Sequence, residues 1–236
     1  MSGAGGIQQG PVQFAPANSI KEAEAFTKKL GIEVKYDFNI DGKEKLLRLN
    51  EFNEVIDDIY LKLPKTKGKI GRVTVWESES ARADALLVDK SGNIINYDIK
   101  IAGKGEFSKI SREDGVFMTG QRGFDWGLYN SDLNFNSKKI AKNFTSGSSV
   151  KTRSEMITHE VGHAVLGPKH SDWSLARKKF DKWVDNTDGI FSAYGSKNYD
   201  EAIAEAFVEL HRGTYKTGML PEYFENKVTQ AFNSLK

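Results

Sequence analysis

The stretch Thr152-Arg-Ser-Glu-Met-Ile-Thr-His-Glu-Val-Gly-His-Ala-Val-Leu-Gly-Pro168 reads as one helix with both ends marked. Thr152 and Glu155 have the spacing of a capping box, in which each side chain satisfies a free backbone donor of the first turn. Gly167 and Pro168 supply the stop. Within this helix His159 and His163 are four residues apart, hence about 40° apart around the axis and one above the other. Two imidazoles so placed can reach one ion at the ~2.0–2.1 Å that zinc requires. Glu160 is turned about 100° from His159, beside such an ion without being a ligand, where it can take a proton from water. The two residues between Glu160 and His163 are Val161 and Gly162, and Ala164 and Val165 follow, which suits a buried helix. Gly162 costs about 1 kcal/mol relative to alanine in a helix interior, so its presence predicts close packing against another element.

A catalytic zinc takes three protein ligands and keeps one position open. Three of the four histidines lie between positions 159 and 170, which makes His170 one candidate for the third ligand. Its spacing is one residue out of register with the metzincin pattern, and an exposed loop histidine would look the same. The other candidate is the segment Asp200-Glu-Ala-Ile-Ala-Glu-Ala-Phe-Val-Glu-Leu-His-Arg212. Glu201 and Glu205 are one turn apart among small alanines that allow another helix to approach. Such a pair is commonly a solvated acidic face. Beside a site that lacks an anionic ligand, Glu201 would bind the metal and Glu205 would hydrogen-bond a ligand histidine from behind.

The segment Tyr194-Gly-Ser-Lys-Asn-Tyr-Asp-Glu201-Ala-Ile-Ala-Glu205-Ala-Phe207, taken with His159-Glu160-Val-Gly-His163, resembles the gluzincin metallopeptidases of the anthrax lethal factor and clostridial Pro-Pro endopeptidase family. The resemblance covers roughly residues 150–215. It implies a zincin-like fold and a zinc-dependent endopeptidase. In it His159, His163 and Glu201 bind Zn2+, and Glu160 is the general base and acid. Tyr194 donates its hydroxyl to the oxyanion, and Glu205 supports a ligand from the second layer. In proteases of this type an extended substrate pairs with a sheet edge, for which Leu133–Asn136 is the candidate strand. Two other functions stay open: a non-catalytic zinc-binding domain of a phage-structural or toxin-associated protein, and a metzincin-like hydrolase using His170.

Outward from the motif, residues 1–18 are rich in Gly, Gln, Pro, Ala and Asn and read as a flexible tail. Ser19 and Glu22 form another capping-box pattern opening a helix that Gly31 stops, and a second helix runs from about Leu49 to Leu63 before Pro64. From Ile70 the period changes to two. Arg72–Trp76, Ala85–Asp89 and Ile94–Ile101 read as strands, with Lys90-Ser-Gly-Asn93 as the turn between the last two. Beyond Lys151 four helices are expected, at about 152–166, 174–186, 200–212 and 221–234. Strands followed by helices predict an α+β layout, with a small mixed sheet packed on the motif helix and a helical C-terminal half. The expected division is a helical segment at 19–66 and a metallopeptidase domain at 67–236.

Composition narrows the function further. The 236 residues carry 34 Lys+Arg against 32 Asp+Glu, a balance that gives no footing for nucleic acid. The basic run Lys62-Leu-Pro-Lys-Thr-Lys-Gly-Lys69 reads as a solvated loop. Without cysteine, neither a disulfide, a thiolate-bound zinc nor a cysteine nucleophile is available. No apolar run approaches the ~20 residues needed to span a bilayer, and the first residues lack the pattern of a signal peptide. A monomer acting on a protein or peptide substrate is expected, either in the cytosol or delivered by a non-classical route. Phe124, Trp126 and Tyr129 lie in a loop, Gly120–Ser131, on which substrate subsites would depend.

Overall fold

The computed structural model describes residues 14–77, 81–103, 150, 152–167, 178–180, 182, 195, 198–218 and 220–236. The elements in chain order are α1 (Ile20–Lys29), β1 (Glu33–Tyr36), α2 (Gly42–Lys62), a 3-10 turn (Pro64–Thr66), β2 (Ile70–Trp76), β3 (Arg82–Val88) and β4 (Ile94–Ala102). Three helices follow: α3 (Arg153–Leu166), α4 (Tyr199–Arg212) and α5 (Glu222–Ser234). Residues 178–180 and 182, inside the helix expected at 174–186, are also helical. The outcome is a small mixed sheet with helices, compatible with the expected α+β layout.

The four strands lie in the order β1-β2-β4-β3. β1, β2 and β4 are parallel, and β3 runs antiparallel to β4 at the edge. Alternation decides which face is buried. Val73, Val75, Ile99 and Ile101 are buried and belong to one core with Phe52, Ile56 and Ile59 of α2, Ile157 and Val161 of α3, and Phe207 of α4. On alternate positions Thr74 donates to both oxygens of Asp98 at 2.9 Å, and Arg72 reaches the same carboxylate at 3.8 Å. Burial raises the Asp98 pKa, and these partners oppose the shift.

Three boundaries differ from the sequence expectation. β1 was not foreseen. It is four residues long, and what holds it is its pairing with β2, from Glu33 opposite Arg72 to Tyr36 opposite Val75. Helix α2 begins at Gly42, well before Leu49, because the Asp41 side chain caps it by accepting from the Lys43 N–H at 2.8 Å. An Asp-Gly pair reads locally as a turn, and here it opens a helix. β3 starts at Arg82, three residues earlier than expected, and its register against β4 shifts between Ala85 and Val88. The turn after it is as expected: Asp89 accepts from the N–H groups of Ser91 and Asn93, and Gly92 adopts φ +83°.

Part of the stretch expected to be a tail is anchored. The Phe14 N–H donates to Asp57 at 2.9 Å, and the Phe14 ring meets Phe26 edge-on. Ala17 and Asn50 exchange two hydrogen bonds. At α1 the Ser19 hydroxyl accepts from Glu22 as the capping box requires, but the Glu22 carboxylate accepts from Asn18, one residue before the cap.

Candidate metal centre

Helix α3 forms as its sequence dictates. Thr152 and Glu155 make both halves of the capping box, at 3.1 and 3.0 Å. Helix α4 is capped by Asn198, whose side chain accepts from the Glu201 N–H at 3.0 Å, and it ends at Gly213 with φ +78°. The cap holds Glu201 in the first turn of α4, so its position is set by the helix start.

The two helices run antiparallel. At one end Arg212 pairs with Glu155 at 2.9 Å, and at the other Glu201 meets His159 and His163. Gly162 sits where they pack against each other. A Cβ added there would lie 2.9 Å from the Phe207 Cβ and 3.1 Å from the Ala204 Cα. The glycine expected to mark a close contact does so, and the facing alanine is one of those in the Glu-x-x-x-Glu segment.

That proximity brings three donor atoms together. His159 Nε2 and His163 Nε2 are 3.1 Å apart, and a Glu201 oxygen lies 3.0 Å from the first and 3.4 Å from the second. For bonds of ~2.0–2.1 Å, two ligands of a tetrahedral ion are separated by roughly 3.3 Å. The triangle of 3.0 to 3.4 Å therefore fits a tetrahedral metal ion held by two imidazoles and one carboxylate. Glu205, fully buried, places an oxygen 3.3 Å from His159 Nδ1, opposite the ring nitrogen that faces Glu201. A carboxylate there fixes which ring nitrogen carries the proton and leaves Nε2 free for an ion.

Burial alone would lower the His159 pKa; hydrogen bonds to Glu201 and Glu205, with Glu160 nearby, push it up to about 10. Burial would raise Glu201, but its two histidine partners hold its carboxyl well below the usual range. Glu160 is different. It is 8% exposed, and burial raises its pKa against the opposing effects of His159, His163 and a backbone hydrogen bond from Ala83.

The Ala83 contact was not foreseen, since nothing in the local sequence around residue 83 marks it. It places Glu160 beside β3, one of the two edge strands of the sheet among the described residues. Another unforeseen tie lies at the start of α3, where the Arg153 guanidinium bonds Glu51 of α2. Of the expected site residues, His159, Glu160, His163, Glu201 and Glu205 are brought together. Tyr194, His170, the Leu133–Asn136 strand and the Gly120–Ser131 loop lie outside the described residues. His211, the remaining histidine, is placed elsewhere, 3.2 Å from Asp58 of α2. No helix among the described residues is long and apolar enough to cross a membrane.

No family model, curated protein or solved structure matches the chain.

Proposed function

We propose that this protein is a zinc-dependent endopeptidase with a zincin-like arrangement, in which His159, His163 and Glu201 hold Zn2+ and Glu160 moves the proton. The observation that carries this reading is the triangle of two imidazole nitrogens and one carboxylate oxygen at 3.0–3.4 Å, with the unligated Glu160 carboxyl next to it. A structural metal site has no need of that extra carboxyl, buried and raised in pKa. A general base does, because its pKa is best placed near the working pH.

When bound, zinc supplies Lewis acidity, polarising a carbonyl oxygen and making water more acidic. Glu160 takes a proton from the water that attacks the peptide carbon, holds it, and delivers it to the amine nitrogen as the C–N bond breaks. Glu205 orients the His159 ring. Tyr194 is the oxyanion donor that the family resemblance implies. The substrate lies extended along β3. Leu133–Asn136, the candidate for that role from sequence, lies outside the described residues.

The test is cleavage profiling on a peptide library, with metal analysis, for the wild-type protein and Glu160→Gln. About one zinc per chain in both, with turnover lost by at least ~100-fold in Glu160→Gln, is the expected result. Zinc bound by both and no peptide cut by either would discard the endopeptidase in favour of a zinc-binding module.

A further inference from the structure

We propose that the cavity walled by α2, α3 and α4 is a binding site for a guanidinium group on an aliphatic stem, the chemistry of an arginine side chain, with Asp57 as its counter-charge. The site needs neither zinc nor hydrolysis, so it stands or falls apart from the endopeptidase reading.

The cavity has a volume of about 550 Å3, within the ~300–1,000 Å3 of sites that take small ligands. It lies at the Glu155–Arg212 end of the α3–α4 pair, away from His163 and Glu201. Glu54, Asp57 and Asp58 of α2 line it with Glu155 of α3, four carboxylates against the two cations Lys62 and Arg212. Both cations are already committed to that wall. Lys62 lies 2.8 Å from Asp58, and Arg212 lies 2.9 Å from Glu155. The His211 imidazole, 3.2 Å from Asp58, is neutral at pH 7, because burial holds its pKa down to about 4. The lining is therefore short of positive charge.

The shortage is sharpest at Asp57. It is 7% exposed, and among the described residues its carboxylate accepts from the Phe14 N–H at 2.9 Å and pairs with no cation. A carboxylate offers about four acceptor sites, and burying one without a counter-ion is costly. An asparagine would tie down the Phe14 N–H equally well without that cost. The rest of the lining sets the shape of the missing cation. Val55, Leu61 and Val208 present apolar surface, and Leu61 is 49% exposed. The stem of an arginine covers such surface while its planar head pairs with a carboxylate. A bare metal ion is the poorer match, since among the described residues the side chains grouped to hold one are His159, His163 and Glu201.

The experiment follows the amide chemical shifts of the whole chain during titration with two probes, N-acetylarginine amide and a pentapeptide with arginine between alanines. Each is compared with its citrulline counterpart, which keeps the shape and loses the charge. Shifts are expected on α2 and α4 around the cavity, with the arginine probes binding at least about 10-fold more tightly than the citrulline ones. Binding of both arginine probes makes this a site for a free alkylguanidinium; binding of the pentapeptide alone makes it a site for a side chain presented by a peptide. Asp57→Asn, which keeps an oxygen for the Phe14 N–H, should bring the arginine-to-citrulline ratio to about 1. Should that variant lose helical signal, Glu54→Gln, on the same face of α2, takes its place and should lower the ratio several-fold. Equal affinity for charged and neutral probes, shifts that gather at His159 and Glu201 instead, or a ratio that survives the substitution overturns the site. So does a concentration-dependent dimer that excludes the probes, because a second copy would then fill the cavity.

Discussion

Glu205 Oε1 lies 3.3 Å from His159 Nδ1, while a Glu201 oxygen lies 3.0 Å from Nε2 of the same ring. One turn of α4 thus holds one imidazole from both sides. The outer carboxylate has no access to solvent, so it has no role as a surface charge. Losing it releases the ring without touching the three donor atoms. Glu205→Gln is expected to bind zinc about 10–100-fold more weakly than the wild type, measured by competition with a chelator. An unchanged affinity would show that the ring is oriented by its packing alone.

Gly162→Ala tests what sets the distance between α3 and α4. A methyl group would meet the Phe207 Cβ at 2.9 Å and the Ala204 Cα at 3.1 Å, and neither is the flexible end of a side chain. Alanine gains about 1 kcal/mol in helix propensity, but overpacking costs typically ~1–3 kcal/mol. A net loss of up to about 2 kcal/mol is expected on thermal or denaturant unfolding of the metal-free protein. Zinc affinity should fall with it, since α4 carries Glu201 and Glu205 outward. A stabilised variant with unaltered zinc affinity would mean that the helices part without cost.

His211 makes stability depend on pH away from the candidate metal site. Burial holds its pKa down, to about 4, with Lys62 adding to the effect and Asp58 opposing it. The imidazole faces Asp58 at 3.2 Å, and that carboxylate is already shared with Lys62 at 2.8 Å. Arg212 is its neighbour on α4, and the Phe207 ring stacks on it from one turn earlier. Below 6.5 the unfolded chain takes up a proton that the native imidazole refuses until about 4. Stability should therefore be intact above pH 6.5 and fall as pH drops toward 4, with a slope of up to about 1.4 kcal/mol per unit from this group. Urea unfolding of wild type and His211→Gln across that window checks it. Identical slopes would remove His211 as the source.

The motif helix could be read from residues 152–168 alone, because a capping box, an i,i+4 pair and a terminal glycine act within one or two turns. The same holds for α4, whose Asn198 cap and Gly213 end are local. Its two glutamates offered themselves as ligand and support through their spacing. The four-residue strand β1 and the early start of α2 escaped, the first because it depends on a partner strand 39 residues away, the second because Asp41-Gly42 serves turns and helix starts alike.

Spacing along the chain specified which atoms could bind an ion, and packing specified that they meet. Whether Glu201 comes within 3.4 Å of both histidines depends on how closely α3 and α4 approach, hence on Gly162 against Ala204 and Phe207. The neighbour of Glu160 likewise comes from elsewhere, an alanine of β3 whose own surroundings carry no sign of it. Local rules extend over a helical turn or a hairpin, whereas these contacts join residues 38 to 77 positions apart. Their closeness results from the burial of one shared core, a property of the whole chain and of no single segment.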